Sequence, residues 1–548
     1  MDNLASNPHA SGKAFQLIQA LLVLMATVFL ALHALHLNAD FPNHSPWMDW
    51  AKYTDEGWYG DAAIRHFQRG HWYVFGDFNP AAALPVWPAL ELVVFRFAGV
   101  SLAAARGLAV GIFALTLVVS FLLLRRWRAT SASLAPAIAV LLLAVSPFCY
   151  AFSRMAILEP LLILLTLLAL LTASATPASR RQGSMMRRYL PTLALGVLLP
   201  LMVLTKTTAV FLFPSIAWML WASAGYRLRP FLRAAFPSAV LGAALWIGYF
   251  GLFVRPHFLA DYRYLFSANA YTGITLDTAW SIICDTVKDG LWIGKLVYPV
   301  ALFAALASFA LLRRRFSRPF NPLIPSLLLW TFGYAAFLAY HNNLQPRYYL
   351  VLAVPLILLI PLVFHEIVAS LSDTSTRFRT PAVVATALVL GALVFTEARQ
   401  TLHYVSTPEY TFASAAAQLH QIVASDPKQN PLVLSISGSD LSLMTGLPSI
   451  CDDFGTMDLA VRVATYHPGW YATWNQVDDD KMEALAPLYR LQRVASFPVM
   501  DDPDRNLLIL YRLDPATSPA PPRRLRKLIP RLLQTSIGQQ PSVTQLEH

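Results

Sequence analysis

A series of apolar runs fills most of the first 400 residues, and it limits the folds open to this chain more than any other feature. About eleven of the runs are long enough to cross a bilayer as helices. They lie at residues 14–37, 105–124, 132–151, 157–175, 189–205, 207–224, 236–254, 293–312, 322–340, 348–366 and 381–397. Backbone groups left unpaired in lipid are costly, so successive runs of this length form helices. The sequence therefore predicts a polytopic α-helical membrane protein, and charged residues make up only 13% of it.

Arginine clusters follow every second apolar run and predict the orientation of the chain in the membrane. They lie at residues 125–128, 180–188, 227–233, 313–318 and 377–379. Because cytoplasmic loops are rich in Lys and Arg, these loops and the N-terminus are expected inside. The outer segments are then loops 38–104, 152–157, 255–292 and 341–347, together with everything after residue 397. The same clusters account for the net charge of +11 without nucleic acid as a partner.

Two apolar stretches need a separate interpretation. Residues 83–98 contain prolines and are too short to span comfortably, so we expect an interfacial or partly re-entrant helix there. A full crossing would invert every later loop and put the arginine clusters outside. The first run, 14–37, is long enough to span and lacks a small-residue cleavage site with a mature domain behind it. It is therefore expected to remain as a span and not to be removed as a signal peptide.

The composition changes after residue 400, where the chain becomes mixed in polarity. Residues 411–424 have helical spacing, and the short apolar patterns of strands lie at 431–437, 490–497 and 507–512. The expected division is a transmembrane domain over 1–400, a small α/β domain on the outer face over 401–514, and a tail rich in Pro, Arg and Gln over 515–548. Within the tail, the basic residues 523–533 suit either an amphipathic helix on anionic lipid or a solvated, disordered segment.

The predicted outer face collects most of the unusual polar residues. The stretch Y-T-D-E-G-W-Y-G-D at residues 53–61 puts two adjacent carboxylates, Asp55 and Glu56, beyond the first span. The other polar or aromatic candidates on this side are Asp49, Asp61, Arg65, His66, His71, Asp77, Asn79, Ser153, Arg154, Glu159, Lys206, His341, Gln345, Arg347, Tyr348 and Tyr349. Acids near a membrane are costly unless they are paired, solvated or used. Together the groups suit an anionic lipid substrate, with cations holding a phosphate and an acid deprotonating an incoming hydroxyl.

Each candidate also has a purely structural interpretation. The alternatives are solvated loop acids at Asp55 and Glu56, an interfacial ion pair of Arg154 with Glu159, a snorkelling Lys206, an aromatic-belt anchor at Arg347 and Tyr348, and a loop histidine at His341. The three cysteines match no metal-binding spacing, although a Cys284–Cys451 disulfide is conceivable outside the membrane. The sequence has no HExxH, Walker or CxxC motif, which argues against a zinc protease, an ATPase or a redox protein.

Four segments resemble motifs of the GT-C glycosyltransferases, in the branch that contains protein O-mannosyltransferases and bacterial aminoarabinose transferases. They are D-E-G-W-Y at 55–59, S-R-M-A-I-L-E-P at 153–160, L-T-K-T-T at 204–208 and Q-P-R-Y-Y-L-V-L-A-V-P at 345–355. The resemblance runs in order from about residue 14 to 400. The chain departs from aminoarabinose transferases at 79–88, which lacks their acidic-Lys-Pro-Pro element, and at Trp58, where they carry Arg. The W-W-D-type motif of oligosaccharyltransferases is absent, which argues against en bloc transfer to Asn.

The resemblance implies an inverting transfer of a sugar from a polyprenyl-phosphate-linked donor, on the periplasmic face of a bacterial inner membrane. Asp55 would be the general base or a ligand of a divalent cation, Glu56 its partner, and Glu159 the second acid near the sugar phosphate or metal. The residues implied in substrate binding are Tyr59, Arg154, Lys206, His341, Arg347 and Tyr348. A divalent cation is the candidate cofactor, and no nucleotide is expected. The acceptor would be a lipid, a protein or a glycan.

Two other classes of function fit a polytopic chain. A transporter or lipid flippase would place ionisable residues and broken helices at mid-membrane, with repeats of opposite topology. The charges here lie mostly at the predicted outer face, and no internal repeat is evident. An assembly protein whose outer domain binds a partner would not need clustered acids near the membrane. The resemblance therefore favours the enzyme.

Overall fold

A computed structural model describes residues 8–52, 54–127, 133–176, 185–268, 275, 277–314, 321–341, 345–374, 376–503 and 505–516. Its first part is a bundle of sixteen α-helices within the described ranges. They are α1 (Pro8–His33), α2 (Asp55–Arg69), α3 (Val86–Ala98), α4 (Leu102–Arg126), α5 (Ala135–Val145), α6 (Pro147–Phe152), α7 (Leu158–Ala175), α8 (Met185–Thr205), α9 (Phe213–Ser223), α10 (Leu228–Tyr249), α11 (Leu259–Ala268), α12 (Ala279–Asp289), α13 (Val297–Arg314), α14 (Leu323–His341), α15 (Leu350–Thr374) and α16 (Thr376–Ser406). Short 3-10 helices lie at Trp50–Lys52, Pro80–Ala82, Thr207–Leu212, Gly290–Ile293 and Pro346–Tyr349, and a π-helix at Phe250–Phe258.

The predicted polytopic helical fold is confirmed. Every predicted span falls on an apolar helical segment. Seven of the described segments are both long and apolar enough to cross a membrane. Four more are apolar but shorter, at Ala135–Val145, Tyr189–Thr205, Thr207–Ser223 and Val297–Leu311. The number of helices that actually cross remains a prediction.

Burial separates the helices at the centre of the bundle from those at its surface. α5, α7 and α15 are apolar on every side and buried over most of their length, as expected for helices surrounded by other helices. α1 and α16 instead expose apolar side chains, with Leu17 72% and Leu388 69% accessible. Such surfaces are stable only against lipid, so these two helices lie at the edge of the bundle.

The first outer loop contributes two helices, α2 and α3, that pack against each other. Gly70 ends α2 with φ +77°, where its N–H donates to the His66 carbonyl at 3.0 Å. That left-handed conformation costs glycine little, so the position favours glycine. α3 coincides with the predicted interfacial stretch, and its helical state is confirmed. Its position at the lipid–water interface remains a prediction.

The C-terminal part is a small α/β domain, as predicted. Its helices are α17 (Thr411–Ala424), α18 (Gly438–Thr445), α19 (Leu459–Tyr466) and α20 (Asp479–Leu485), and its strands are β1 (Val433–Leu434), β2 (Ser449–Ile450), β3 (Trp470–Trp474), β4 (Tyr489–Pro498) and β5 (Leu507–Pro515). The sheet order is β2-β1-β3-β5-β4. β1 is parallel to β2 and β3, and β5 is antiparallel to β3 and β4. Four of these elements were predicted from the sequence and are confirmed: α17, β1, β4 and β5.

Two further expectations from the sequence concern the cysteines and the basic stretch of the tail. All three cysteines are free, with Cys284 exposed and Cys451 buried, so the conceivable Cys284–Cys451 disulfide is not formed. Cys451 follows β2, and its backbone N–H donates to Asp77 in the loop between α2 and α3 at 3.1 Å. The basic stretch 523–533 of the tail lies outside the described residues.

Candidate active site

The start of α2 places Asp55 at the boundary between the two domains. A 3-10 helix, Trp50–Lys52, leads into α2, and Asp55 is the first residue of α2. Its carboxyl group is 2% exposed, and its Oδ1 accepts a hydrogen bond from the Thr54 hydroxyl at 3.2 Å. A negatively charged group in the first turn of a helix is stabilised by the positive end of the helix dipole. The start of α2 therefore buries Asp55 and at the same time stabilises the negative charge of its carboxylate.

Arg347 is the cation that meets Asp55. It lies in the 3-10 helix Pro346–Tyr349, just before α15, and its Nε is 3.1 Å from Asp55 Oδ2. The distance fits an ion pair, but the two atoms are not aligned as a hydrogen bond. Asp49 fixes Arg347 from the other side, because its Oδ2 accepts from the Arg347 backbone N–H at 2.8 Å and its Oδ1 from Nη1 at 2.5 Å. Arg347 thus bridges two carboxylates and keeps part of its guanidinium beside Asp55.

The surroundings of Asp55 change its protonation. Burial raises the pKa of the Asp55 carboxyl above its ordinary value. The charge of Arg347 lowers that pKa, while the charges of Asp49 and Glu159 raise it, and the net direction is upward. A carboxylate with a raised pKa is a stronger base than an exposed one. Asp55 is therefore better suited than an exposed aspartate to take a proton from a hydroxyl group.

A second ion pair lies beside the first. Glu159 is the second residue of α7, and Lys206 lies between α8 and the 3-10 helix Thr207–Leu212. The ammonium group of Lys206 bonds Glu159 Oε1 and stands 4.4 Å from the centroid of the Tyr348 ring. The guanidinium of Arg347 stands 4.6 Å from the same ring. Tyr348 therefore lies between two cations, a geometry in which the ring face helps to hold both charges.

These groups border a cavity of about 450 Å³. Its lining residues are Trp50, Thr54, Asp55, Trp58, Tyr59, Phe78, Leu84, Leu158, Lys206, Thr207, Thr208, Phe211, Leu265, Phe266, Phe337, Tyr340, His341, Arg347, Tyr348 and Phe454. Half of these are aromatic, and Asp55 is the one acid among them. A pocket with mostly apolar walls and a few convergent polar groups is typical of a ligand site.

The C-terminal domain completes the wall of this cavity. Phe454 comes from the segment after β2, and its ring centroid lies 4.9 Å from that of Trp58 and 5.5 Å from that of Phe78. The Phe454 carbonyl accepts a hydrogen bond from Arg462, whose Nη1 is also 3.1 Å from Asp77 Oδ1. Because Asp77 belongs to the first outer loop, this buried contact fixes the two domains to each other beside the cavity.

Six of the predicted site residues line the cavity together: Asp55, Tyr59, Lys206, His341, Arg347 and Tyr348. Glu159 is fully buried behind Lys206, and its Oε2 has no hydrogen-bond partner in the described part of the chain. The ring of His341 stacks on Phe337, with the centroids 5.2 Å apart. The fold brings these residues together at one cavity, and the roles predicted for them remain predictions.

Glu56 and Arg154 lie away from the cavity. Glu56 accepts two hydrogen bonds from Arg106 of α4, at 2.8 and 2.6 Å, and a third from the Ala156 N–H at 3.0 Å. Arg154 donates to the carbonyls of Leu35 and His36, both at 2.8 Å. Glu56 therefore points towards α4 and away from the cavity, and Arg154 bonds the turn that follows α1. Neither residue has the structural role named for it above, because Glu56 is buried against Arg106 and not solvated, and Glu159 pairs with Lys206 and not with Arg154.

The sequence interpretation did not select Asp49, Arg106 or Phe454 as site residues. Asp49 was noted among the outer acids, but nothing in the sequence pairs it with Arg347. Arg106 could have been selected, because a charged residue inside a predicted span is rarely without a buried partner. Phe454 gives no such signal, since it reaches the cavity only through the packing of the second domain.

A metal site built from Asp55 and Glu159 was also predicted. In the described ranges, no group of three or more His, Cys, Asp or Glu side chains could hold a metal ion. Asp55 and Glu159 each already face a cation, Arg347 and Lys206 respectively. Ca²⁺ and Mg²⁺ need several oxygen ligands at once, and here a metal ion would have to displace both of these ion pairs. The residues present therefore do not fit a ready-made metal site.

Comparison with known structures identifies the fold. ArnT from Cupriavidus metallidurans matches in its apo state with a TM-score of 0.57 and 15% identity, over 90% of this chain and 98% of that one. The same protein bound to undecaprenyl phosphate gives 0.58 and 15%, over 92% and 99%. The oligosaccharyltransferase AglB from Archaeoglobus fulgidus, in complex with an inhibitory peptide and a dolichol-phosphate, gives 0.51 and 13%, over 91% and 75%. No protein-family model and no curated protein sequence matches the chain.

The chain therefore has the same fold as these two membrane proteins over most of its length. Within that fold it is similar to ArnT over nearly the full length of both chains, including the small C-terminal sheet domain.

Proposed function

We propose that this protein is a membrane glycosyltransferase that moves a sugar from a polyprenyl-phosphate-linked donor to a hydroxyl acceptor. The observation that carries the proposal is the cavity where one buried carboxylate, Asp55, faces the cations Lys206 and Arg347 between aromatic walls. A lipid phosphate is an adequate leaving group once its charge is balanced, so a site for this reaction needs a base, cations and shelter from water.

The reaction is a single displacement with inversion at the anomeric carbon. Asp55 accepts the proton of the acceptor hydroxyl as its oxygen bonds to that carbon. The bond from the anomeric carbon to the phosphate oxygen breaks, and the electron pair leaves with the polyprenyl phosphate. Lys206 and Arg347 balance the negative charge that develops on the phosphate. The rings of Trp58, Tyr59 and Phe454 provide apolar faces for the sugar.

The ligands of the similar structures support the class of donor. ArnT was crystallised with undecaprenyl phosphate, and AglB was solved with a dolichol-phosphate. Both ligands are long-chain lipid phosphates of the kind that a cavity with Lys206 and Arg347 would suit. The arginine clusters of every second loop support an active site on the periplasmic side of a bacterial inner membrane, with the N-terminus in the cytoplasm.

The first prediction tests the reaction directly. The purified protein is incubated with a panel of prenyl-phosphate monosaccharides and acceptors, and release of free prenyl phosphate is measured together with the stereochemistry of the product. At least one donor should release prenyl phosphate with inversion. Asp55→Asn should lower the rate by roughly 10²–10⁴-fold, the range typical of a lost general base.

Asp479→Asn is the matched control, because Asp479 is an exposed acid at the start of α20. It should transfer sugar at the wild-type rate. Transfer by Asp55→Asn at a near-normal rate would reject Asp55 as the base. Movement of intact donor across vesicles, without release of prenyl phosphate, would show a flippase instead.

A further inference from the structure

The two domains make an unusually close contact at the start of α2. Gly57 lies against the backbone of α18, where an added Cβ would be 2.2 Å from the carbonyl carbon of Ser439 and 2.4 Å from the backbone nitrogen of Asp440. Cβ atoms do not approach backbone atoms so closely, and backbone cannot move aside as a flexible side chain can. Only glycine at position 57 permits this approach of the two helices.

The close approach brings one side chain of the C-terminal domain to the backbone of α2. Asp440 is 5% exposed, and its Oδ1 accepts a hydrogen bond from the Gly57 N–H. Gly57 is the third residue of α2, and the N–H at that position is one that a capping side chain normally satisfies. Asp440 therefore does what an N-cap residue does, from a position 383 residues later in the chain.

The residue expected to cap α2 locally does not do so. Thr54 precedes α2 but makes no side-chain cap bond to it in the described chain. Its hydroxyl is instead 3.3 Å from the Trp50 carbonyl and 3.2 Å from Asp55 Oδ1. A second tie from the C-terminal domain lies one residue further on, where Trp58 Nε1 donates to the Ile436 carbonyl at 3.2 Å. The first turn of α2 is thus held from the C-terminal domain.

We propose that Asp440 is a positioning residue for the base: it caps α2 from the C-terminal domain and so holds the Asp55 side chain in the cavity. Asp55 lies in the same first turn of α2, and a helix end that loses its cap frays. Lys206 and Arg347 belong to other elements, so loss of the cap would displace the base and leave the cations in place. The link to catalysis rests on the function proposed above.

The chemistry of Asp440 provides a conservative variant. Burial raises the pKa of its carboxyl well above the ordinary value, and the nearby charge of Glu56 acts in the same direction. Asp440→Asn keeps the size of the side chain and an oxygen that accepts from the Gly57 N–H. Asp440→Ala removes that acceptor. Gln68→Ala is a matched control, because it removes a different bond between α2 and α18, from Gln68 Nε2 to the Ser442 carbonyl at 3.3 Å.

The activity measurement separates positioning from binding. For Asp440→Ala we expect kcat to fall roughly tenfold, the scale of one lost helix cap, and the KM for donor to stay within about twofold. Asp440→Asn and Gln68→Ala should keep kcat within about twofold of wild type. A wild-type kcat for Asp440→Ala, a change in donor KM alone, or an equal loss in Gln68→Ala would overturn the proposal. If Asp440→Ala does not fold, a large loss of kcat in folded Asp440→Asn overturns it equally.

A second measurement does not depend on enzymatic activity. Hydrogen exchange followed by mass spectrometry should show faster exchange over residues 55–61 in Asp440→Ala than in wild type, Asp440→Asn or Gln68→Ala. Unchanged exchange would overturn the cap itself. If the wild-type protein transfers no sugar from any donor while exchange changes as expected, the proposed function fails and the capping role stands.

Discussion

At the scale of single residues, the behaviour of Asp55 depends on opposed influences from its surroundings. Burial raises the pKa of its carboxyl, and the Arg347 guanidinium 3.1 Å away lowers it. The same guanidinium is expected to hold the phosphate of the donor, so one residue both tunes the base and balances the leaving group. These two effects can be separated, because only the effect of Arg347 on the pKa of Asp55 changes the pH at which the base becomes protonated.

Asp55 should therefore dominate the acidic limb of the pH profile. The base works when deprotonated, and its pKa is raised, so kcat/KM should fall with acid at a pH above 3.8, the ordinary value for aspartate. Arg347→Gln removes the influence that lowers this pKa, and the limb should move to higher pH. Arg347→Lys keeps a positive charge and should move it less. A limb that stays in place or moves to lower pH in Arg347→Gln would contradict this assignment.

Lys206 has two interpretations that a double variant can distinguish. It either neutralises buried Glu159 or also acts on the substrate phosphate. Lys206→Met should lower kcat/KM by about 10²–10³-fold, as for other groups that stabilise developing charge. If neutralisation of Glu159 were the whole role, adding Glu159→Gln would restore activity. We expect the double variant to remain as impaired as Lys206→Met, measured as release of prenyl phosphate by folded protein.

At the scale of elements, α2 is held on one side by the cavity groups and on the other by α4. The link to α4 is the pair of Glu56 with Arg106, in which both side chains are at least nine-tenths buried. Removing one partner of such a pair leaves an uncompensated buried charge. Arg106→Met should thus destabilise the protein by about 3–5 kcal/mol, seen as a lower unfolding temperature in detergent. Glu56→Gln with Arg106→Met should recover much of this loss, and equal instability of the double variant would contradict it.

The elements also show what the sequence could predict. The spans were predictable because a helix in lipid needs a long run of apolar residues. Asp55, Lys206 and Arg347 could be selected as candidates because each lies in a short motif. The pairing of Glu56 with Arg106 was not, because the two residues are 50 positions apart and no local pattern links them. β3, Trp470–Trp474, was missed because it is buried along its whole length and lacks the alternation of a half-exposed strand.

At the scale of the whole molecule, the two domains line one cavity. The C-terminal domain supplies Phe454 to the cavity wall and Asp440 to the start of α2, while Arg462 reaches Asp77 of the first outer loop. Since these contacts place the first outer loop and the C-terminal domain together, both must lie on the same side of the membrane. That joint placement agrees with the orientation predicted from the arginine clusters, which put residues 38–104 and everything after residue 397 outside.

Cys284 allows this orientation to be measured. It is exposed on α12, in the predicted outer loop, whereas Cys149 and Cys451 are buried. A membrane-impermeant maleimide should label Cys284 in intact spheroplasts, and Cys284→Ser should abolish that labelling. Arg229→Cys, in the Cys284→Ser background, puts a thiol at an exposed position at the start of α10 on the predicted cytoplasmic side. It should be labelled only after the membrane is permeabilised, and the opposite pattern would reverse the orientation and place the cavity on the cytoplasmic side.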